Sequence, residues 1–560
     1  MRVLGINQGH NGSAAYVVDG ELKFYIEEER LSRQKYDGNP FRGMLEAIKE
    51  GVDTLILGGT SSNNPKLPWT GEDPYSALVR KFNPKVKIIS AGEQHHKGHA
   101  ATAFYNSGFE TAIAIVIDGS GSHHTYSSEE GGNEVSGFET ETVFSCEYPS
   151  KFEPLHKGYG TNDPMGHVSE GMEIKSGVTI VKSYEAVTNW LGFHFIEAGK
   201  TMGLSAYGGP DESLPDFFTE GKSNKNVFIP SYPSGAYISP DIMQRNICSR
   251  QCQEESTCTT DFTDLEKNAA WKIQNDTQEL VGDLIEKVLS ETDEKNVVLS
   301  GGYGLNCVAN YYFKERFPDI NLYVDPTSHD GGTSIGIAKM VHYKETEDTT
   351  IRPLKSLYLG VTTETYDNLD EIEGIKVSDT SYKEVAELLV NRKIVAIFQG
   401  RSEAGPRALG NRSILYDPTD VDGKSHVNKV KGREWFRPFA GTILKEHFDE
   451  WFETRGLEES PFMMYAMNLD ESKHGEVPAI THNDGSCRIQ TVDKEQNEHF
   501  YNLISEFNKI KDIPILFNTS FNLAGEPLVE TLEDGIETLK KSEIDFLYLP
   551  ECNKIINIIK

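Results

Sequence analysis

Short apolar runs that end in glycine-rich turns recur along the first 310 residues. The runs Arg2–Ile6, Ala112–Ile117 and Asn296–Leu299 have the apolar, β-branched character of strands, and each precedes a polar turn that contains glycine. The first run continues as a meander, in which Asp19-Gly20 is a hairpin signal. Glycine lets backbone N–H groups approach a phosphate closely at the end of a strand. The repeated pattern therefore predicts a nucleotide cleft.

The pattern changes after the polar segment 344–351, which is a plausible domain edge. Beyond it, helical and strand patterns alternate, and the predicted elements are a helix near Lys383–Asn391, a strand Ile394–Gln399, a helix near Asn497–Asn508, a strand Ile513–Phe517, a helix capped by Thr531 and a strand Phe546–Leu549. The chain is predicted to be α/β throughout. One domain is expected over residues 1–350 and a second over residues 351–560.

Composition excludes several classes of function. The chain has 560 residues and a net charge of −31, which disfavours binding to bulk nucleic acid. The N-terminus MRVLGINQGH lacks the apolar core of a signal peptide, and no apolar stretch is long enough to span a membrane. A cytoplasmic location is expected, and seven cysteines, an odd number, suit free thiols. Cys248, Cys252 and Cys258 are interpreted as loop thiols in preference to a zinc site.

A histidine cluster, EQHHKGHA, is the strongest indication of a functional site in the first half of the chain. On a helix, His95 and His99 would lie four residues apart on one face and could share a divalent cation. Asp330, in SHDGGT, is the candidate third ligand. Two histidines and one carboxylate leave coordination positions open on the metal, as in non-haem iron sites. The alternative is a polar helix with solvated histidines. Spare ligand candidates are Asp118, His123 and His124.

Cations concentrate between positions 399 and 437. This stretch carries eight cations and five anions, a net of +3 within a chain of −31. Guanidinium groups bind phosphate oxygens in a bidentate way, so an anion site is predicted in preference to a salt-bridged surface. The interleaved Gly405-Pro406-Arg407 and Trp435-Phe436-Arg437 favour a shaped pocket. Two later segments, 481–490 and Asn518-Thr519-Ser520-Phe521-Asn522, are predicted as further walls of that pocket.

Taken together, these motifs resemble the O-carbamoyltransferase family of nodulation-factor, cephem and tobramycin biosynthesis. The resemblance covers nearly the whole chain and rests on GHNGSAA (9–15), EEERLSRQK (27–35), HHKGHAATAF (95–104), GKTMGLSAYG (199–208), LSGGYGLNCVAN (299–310), GRSEAGPRALGNRSIL (400–415), REWFRPFAG (433–441) and FNTSFNLAGEPLV (517–529). The recurring strand and glycine turns also resemble the duplicated actin-like (ASKHA) ATPase fold.

The resemblance implies an enzyme with two sites. A C-terminal YrdC-like α/β domain would form carbamoyl adenylate from carbamoyl phosphate and ATP, with Mg²⁺ accompanying the nucleotide. The N-terminal domain resembles the tRNA threonylcarbamoyl-transfer enzymes. It would hold Fe(II) or a similar divalent metal and pass the carbamoyl group to an acceptor.

Roles for single residues follow from the matched motifs. His10 matches the family's catalytic histidine as general base, although Asn7-Gln8 precede it and leave its partner open. The other matches are His95, His99 and Asp330 as metal ligands, Gly301, Gly302 and Asn306 in the nucleotide loop, Lys431, Met463, Arg488 and Ser520 in the adenylate-forming pocket, and Arg407 and Arg437 along its wall.

The acceptor is expected to be a hydroxyl of a small molecule. A natural-product sugar or polyketide and a hydroxymethyl pyrimidine nucleotide are both open, and the glycine-rich region Lys157–Met172 is a candidate wall of the acceptor cleft. The alternatives are an amine or thiol acceptor, as in tRNA modification or hydrogenase maturation, and a non-catalytic nucleotide sensor. Partner proteins are not implied beyond the possibility of a homodimer.

Overall fold

The fold is mixed α/β, as the sequence predicts. The computed structural model describes residues 1–59, 66–68, 71–127, 134–161, 167–169, 172–175, 179–214, 217–218, 228–231, 235–238, 261–362, 366 and 368–559. Within these residues, no helix has both the length and the apolar character that a membrane crossing requires.

The chain divides into two compact units. The first contains Met1–Gly9, Tyr16–Leu22 and Glu50–Pro353, and the second contains His10–Ala15, Lys23–Lys49 and Leu354–Lys560. This division adds to the single cut predicted at 350/351, because two N-terminal segments group with the C-terminal part of the chain.

A five-stranded sheet begins the structure. Its strands are β1 (Arg2–Asn7), β2 (Ser13–Val18), β3 (Glu21–Glu27), β4 (Thr54–Leu57) and β5 (Lys87–Ser90). They lie in the order β3-β2-β1-β4-β5, with β1, β4 and β5 parallel. The predicted hairpin turn is confirmed, since Asp19 and Gly20 between β2 and β3 both have positive φ.

A second, larger sheet repeats this order. Its strands are β6 (Thr111–Ile117), β7 (His123–Ser127), β8 (Glu134–Glu147), β9 (Lys151–Thr161), β10 (His167–Ser169), β11 (Met172–Lys175), β14 (Asn296–Ser300) and β15 (Asn321–Val324). A separate hairpin is formed by β12 (Phe228–Ser231) and β13 (Gly235–Ile238). The run β9-β8-β6-β14-β15 matches β3-β2-β1-β4-β5, and β6, β14 and β15 are again parallel. The predicted duplication is therefore visible in the strand order.

Helices that follow these strands are α1 (Glu28–Ser32), α2 (Phe41–Glu50), α3 (Pro74–Phe82), α4 (His95–Ser107), α5 (Ile180–Trp190), α6 (Ala198–Ser205), α7 (Asp264–Ser290), α8 (Cys307–Arg316) and α9 (Thr333–Thr346). Helices α4 and α9 are buried along most of their length and contribute to the core of the first unit.

Close backbone approach between α4 and α9 depends on a glycine in each helix. A Cβ atom at Gly336 would overlap the Gly98 carbonyl oxygen and the backbone nitrogen of Thr102. The Thr102 hydroxyl donates to the carbonyls of Gly98 (2.9 Å) and Gly332 (2.8 Å), and accepts from the Gly336 N–H (3.1 Å). Thr102 therefore ties the two helices at the point where α9 begins.

The second unit contains a nine-stranded sheet. Its strands are β16 (Ile375–Asp379), β17 (Val395–Phe398), β18 (Arg412–Tyr416), β19 (Ala440–Leu444), β20 (Ala466–Asn468), β21 (Ser486–Val492), β22 (Ile515–Ser520), β23 (Phe546–Leu549) and β24 (Lys554–Ile558). The order is β16-β24-β23-β17-β18-β22-β19-β21-β20. Its helices are α10 (Tyr382–Val390), α11 (Gly423–Lys431), α12 (Phe448–Trp451), α13 (Glu498–Lys511) and α14 (Leu532–Lys540).

The elements predicted in this unit are confirmed to within a few residues. One strand, β22, ends three residues later than predicted. The Thr531 hydroxyl caps α14 by accepting from Asp534 N–H, which is the local signal on which that helix was predicted. The strand predicted at Ile513–Phe517 instead runs from Ile515 to Ser520. Ser520 therefore ends a strand that pairs with neighbours on both sides.

Two arginines of the EEERLSRQK motif bind loops of the same unit. The buried Arg30 donates to the carbonyls of Glu403 (3.2 Å) and Gly405 (2.7 Å). Arg33 donates to the carbonyls of Leu528 (2.6 Å) and Pro527 (3.1 Å). Long-range hydrogen bonds of this kind explain why Lys23–Lys49 groups with residues more than 350 positions away.

Substituting Gly336 by Ala should destabilise the protein by about 1–3 kcal/mol, because the new methyl group would force α4 and α9 apart. Gly199→Ala is the matched control: Gly199 also lies in a helix, but a Cβ there meets nothing within 4 Å. We expect the control to change stability by no more than about 1 kcal/mol. Denaturant unfolding of both full-length variants measures the difference. Equal effects of the two substitutions would contradict the close-packing argument.

Candidate functional site

Two charged clusters stand out, one in each unit. In the first unit, His95, His99, Asp118 and Asp330 each offer one ligand atom, and these atoms all lie within 4.8 Å of one another. His95 and His99 occupy the first turns of α4, Asp118 follows β6, and Asp330 precedes α9. The close contact between α4 and α9 at Gly336 places the start of α9 beside α4. The structure thus joins the three predicted ligands and adds Asp118, the spare candidate.

Imidazole nitrogens and carboxylate oxygens converge in this cluster. The Nε2 atoms of His95 and His99 are 3.1 Å apart. The His95 Nε2 atom lies 3.5 Å from an Asp118 oxygen and 3.7 Å from an Asp330 oxygen, and His99 Nε2 lies 3.8 Å from Asp330. Two imidazoles with carboxylates are a donor set suited to a divalent transition metal.

The electrostatics of the cluster favour a cation. Burial by itself would lower the pKa of His95, but the carboxylates of Asp330 and Asp118 raise that pKa to about 10. Burial and Asp330 act to raise the pKa of Asp118, yet the two histidines lower it. A metal ion would take the place of the proton that these carboxylates otherwise hold on the imidazole.

Hydrogen bonds outside the cluster orient its ligands. The Ser300 hydroxyl lies 3.4 Å from His99 Nδ1. The His95 N–H donates to the Ser122 hydroxyl (3.1 Å), and the Ser122 N–H donates to the buried carboxylate of Glu139 (3.1 Å). The bond from the His95 backbone positions the first turn of α4, and the Ser300 hydroxyl is placed to orient the His99 ring.

The glycine turn predicted as a nucleotide loop lies against this cluster. Gly301 has φ +86°, and a Cβ there would overlap the backbone of Ile117. The Gly302 N–H donates to Asp118 at 3.2 Å. Asn306 also has a structural role, because its Oδ1 accepts a hydrogen bond from the Ala309 N–H (3.1 Å) and so caps the start of α8. Its Nδ2 donates to Gln274 at 2.9 Å.

His10 lies in the exposed turn between β1 and β2, in a segment that groups with the second unit. That turn is fixed from both sides, since the Gly12 N–H donates to the Asp37 carbonyl (3.0 Å) and the Glu28 N–H donates to the Gly12 carbonyl (2.8 Å). The backbone beside His10 is therefore held by the same segment that carries Arg30 and Arg33.

The second cluster surrounds Ser520. Lys431, at the end of α11, is 1% exposed and donates through Nζ to the Ser520 carbonyl and to Asn522 Oδ1 (3.2 Å). Arg433 Nη2 donates to the Ser520 hydroxyl at 3.3 Å. The Ser520 hydroxyl donates to Asn522 Oδ1 at 2.6 Å.

Cations in this cluster repel one another. Burial lowers the pKa of Lys431 well below its usual value, and the nearby charges of Arg433 and Arg437 lower it further. Burial and Arg437 lower the pKa of Arg433 to about 9, with a further contribution from Arg488. A bound anion would relieve both the repulsion and the cost of burial. This arrangement is what a phosphate site requires.

The remaining predicted residues lie on neighbouring elements of the second unit. Arg488 is on β21, where it pairs with Ala440 on one side and Ala466 on the other. Met463 precedes β20 and is buried with a left-handed φ of +58°, which is a strained position for a non-glycine residue. Arg407 lies half-buried in the loop that Arg30 and Glu403 hold.

Arg433 belongs to the cation cluster predicted as an anion site, and Asn522 belongs to the predicted pocket wall 518–522, but neither was given an individual role. Both belong to matched motifs, REWFRPFAG and FNTSFNLAGEPLV, so their proximity to Lys431 and Ser520 was the signal available. Cys248, Cys252 and Cys258, and residues 162–166 and 170–171 of the glycine-rich region, lie outside the described residues. The described cysteines, Cys146, Cys307, Cys487 and Cys552, are free thiols.

Comparison with known proteins matches both units of the chain. The family model described as carbamoyltransferase N-terminus matches residues 73–339, and that of the carbamoyltransferase C-terminus matches residues 386–554. Nodulation protein NolO of Bradyrhizobium diazoefficiens is 31% identical, over 81% of this chain and 77% of that protein. The 3'-hydroxymethylcephem-O-carbamoyltransferase of Amycolatopsis lactamdurans is 25% identical over 95% of both chains.

Among solved structures, full-length HypF in its phosphate- and nucleotide-bound form is 14% identical to this chain. The match covers 62% of this chain and 56% of that one, with a TM-score of 0.31. A likeness at that level supports no conclusion about this protein.

The histidine-carboxylate cluster should bind one divalent cation per chain. Asp330→Asn and Asp118→Asn should each weaken binding by about 10–100-fold or more, because each removes a charged ligand while keeping the side-chain shape. Anaerobic calorimetric titration with Fe(II) measures the affinity. His123→Ala, an exposed histidine outside the four ligands, is the control. Unchanged affinity in Asp118→Asn would reduce the site to three ligands, and unchanged affinity in both variants would exclude it.

Proposed function

This chain belongs to the carbamoyltransferase family and transfers carbamoyl groups, and we propose that it is an ATP-dependent O-carbamoyltransferase that works through carbamoyl adenylate. The observation that carries this proposal is the buried group of cations, Lys431 and Arg433 with Arg437 and Arg488 nearby, around Ser520. The second unit is proposed as the YrdC-like, adenylate-forming domain.

The proposed activation uses two phosphate-bearing substrates in one electropositive pocket. Water cleaves carbamoyl phosphate to carbamate and inorganic phosphate. A carbamate oxygen then attacks the α-phosphorus of ATP, and pyrophosphate leaves with the electron pair of the broken P–O bond. Each step moves negative charge between oxygens, so fixed guanidinium and ammonium groups stabilise the transition states without reorganising. Mg²⁺ would accompany the ATP.

The first unit is proposed as the actin-like, carbamoyl-transfer part. His95, His99, Asp118 and Asp330 would hold Fe(II) or a similar ion, which when bound supplies positive charge for the phosphate of the adenylate. Gly301 and Gly302 offer a close backbone approach for the nucleotide beside these ligands.

Transfer requires a base at the acceptor. The acceptor oxygen attacks the carbamoyl carbon, AMP leaves, and the proton of the hydroxyl goes to His10, a step that contributes about 10²–10⁴-fold in enzymes. Exposure of His10 suits a residue that meets a second substrate. The name of the Amycolatopsis relative specifies a hydroxymethyl acceptor, which supports a hydroxyl over an amine or thiol here. A sugar, a polyketide and a hydroxymethyl pyrimidine nucleotide are the acceptor classes proposed.

Arg488→Ala and Ser520→Ala should abolish the release of pyrophosphate from ATP that depends on carbamoyl phosphate, because both change the proposed anion pocket. Pyrophosphate is measured with and without carbamoyl phosphate by an assay that does not respond to inorganic phosphate, because the proposed cleavage of carbamoyl phosphate also releases phosphate. Lys429→Ala is the control, since Lys429 is exposed and lies two residues before Lys431 on α11. A wild-type protein that releases no pyrophosphate would instead favour a nucleotide sensor.

His10→Asn should retain pyrophosphate release at close to the wild-type rate but lose carbamoyl transfer by about 10²-fold or more. Transfer is followed by mass spectrometry, as the gain of one carbamoyl group by a hydroxylated acceptor from a panel of sugars and nucleotides. If His10→Asn stops pyrophosphate release as well, the proposed division between activation and transfer is wrong.

A further inference from the structure

A tyrosine in the left-handed backbone conformation stands exposed in the loop after α1. Tyr36 has a φ of +62° and is 38% exposed. Positive φ is uncommon outside glycine, and asparagine adopts it more readily than a bulky residue does. The Tyr36 ring lies outside the core, so burial does not explain a tyrosine at this strained position. Strain of this kind points to a function for the side chain.

One buried carboxylate holds this loop in place. Glu29, in α1, is 5% exposed and accepts hydrogen bonds from the Tyr36 N–H (2.9 Å) and from Lys35 Nζ (2.7 Å). The Lys35 ammonium also lies 5.1 Å from the centre of the Tyr36 ring. The aromatic ring and the ammonium group are therefore presented together, because the same carboxylate restrains both residues.

Lys35 keeps hydrogen-bonding capacity for a ligand. An ammonium group has three N–H donors. Within the described part of the chain, Glu29 is the one acceptor within hydrogen-bonding distance of Lys35 Nζ. The Lys35 side chain is also exposed at its surface position. Its remaining donors can therefore meet an anion that arrives from solvent.

Backbone contacts place the ring and the ammonium beside the turn that carries His10. The Gly12 N–H donates to the Asp37 carbonyl at 3.0 Å. A Cβ atom at Gly12 would overlap the backbone of Asp37 and Gly38, so the two loops touch with no side chain between them. His10 is two residues from this contact on one loop and Tyr36 is one residue from it on the other, and both are exposed. Both loops belong to the second unit.

An imidazole, an aromatic ring and an ammonium group with spare donors, close together on one exposed edge, suit an acceptor with three matching groups. These are a hydroxyl, a flat ring and an anion. Resting on the proposed role of His10, we propose that Tyr36 and Lys35 form an acceptor subsite, in which Tyr36 stacks on the acceptor ring and Lys35 binds its phosphate. Of the acceptor classes considered, a hydroxymethyl pyrimidine nucleotide carries all three groups. A sugar lacks the flat aromatic ring, and a polyketide lacks the phosphate.

Stacking on Tyr36 supplies most of the selectivity in this subsite. Every nucleobase has a π face that stacks on an aromatic side chain, and this contact contributes about 5-fold or more to affinity. The phosphate contributes less, because Lys35 is already paired with Glu29 and is screened by solvent. Since the ring contact holds the acceptor before and during transfer alike, its loss raises KM more than it lowers kcat.

The test measures carbamoyl transfer, from carbamoyl phosphate and ATP, to 5-hydroxymethyl-dUMP. Glycerol is the comparison acceptor, because it has hydroxyls but neither a ring nor a phosphate. Wild type should prefer the nucleotide by about 10-fold or more in kcat/KM. Tyr36→Asn should raise the KM for the nucleotide about 5-fold or more, with a smaller change in kcat. Tyr36→Phe keeps the ring and should stay within about 3-fold of the wild-type KM.

Glu347→Asn is the matched control for the backbone. Glu347 is exposed, follows α9 in the first unit and also has positive φ, +53°. Asparagine relieves the same kind of strain at both positions, so neither Asn variant should unfold at a lower denaturant concentration than wild type. Of the two, Tyr36→Asn alone should raise the nucleotide KM. An equal rise in both variants would assign the effect to the backbone and overturn the proposal.

The outcomes separate this inference from the proposed function. No pyrophosphate release by wild type would reject the carbamoyl adenylate mechanism itself. Pyrophosphate release without transfer to the nucleotide, or without preference over glycerol, would overturn the acceptor subsite alone, as would an unchanged nucleotide KM in Tyr36→Asn. If Tyr36→Asn fails to fold, the wild-type ratio of kcat/KM for the two acceptors decides: about 10 or more supports the subsite, and a smaller ratio overturns it.

Discussion

Charge held away from water is the constraint on which both candidate sites depend. In the first unit, the imidazoles of His95 and His99 share their surroundings with the carboxylates of Asp118 and Asp330, so opposite charges offset much of the cost of burial. The cluster around Ser520 has an excess of one sign, and its cations lower one another's pKa. Such a cluster gains stability when an anion binds, which is the property a phosphate-handling enzyme needs.

Backbone packing supplies the accuracy that these charges require. Metal ligands must converge within a few tenths of an ångström of their preferred distances. The four candidate ligands come from three separate parts of the chain. The glycines at positions 98 and 336 let α4 and α9 approach at backbone distance, and the Thr102 hydroxyl bonds across the contact. Side-chain packing alone would leave a wider and less regular separation between the helices.

In the second unit, hydrogen bonds to backbone carbonyls have the corresponding role. Arg30 holds the loop at residues 403–405 and Arg33 holds the one at residues 527–528, while Gln490 and Asn518 bond the carbonyls of Leu409 and Ala408. The carbonyls at residues 403–409 flank Arg407 in the sequence, and those at residues 527–528 lie in the segment that follows Ser520. Carbonyl acceptors on neighbouring loops restrain these polar side chains, because each amide that donates to a carbonyl cannot turn without losing that bond.

The sequence by itself determined those features whose causes are local. Continuous short apolar runs mark β6 and β23, the Thr531 cap marks the start of α14, and the spacing of four residues puts His95 and His99 on one helix face. Family motifs identified the chemistry and most of the candidate residues. Only the tertiary structure decided that Asp118 joins the histidines, that Arg433 meets Ser520, and that the segment with His10 groups with the second unit. The physical reason is sequence separation: periodicity and capping act within a few residues, whereas these contacts join side chains that are distant along the chain and meet only when strands, helices and loops pack.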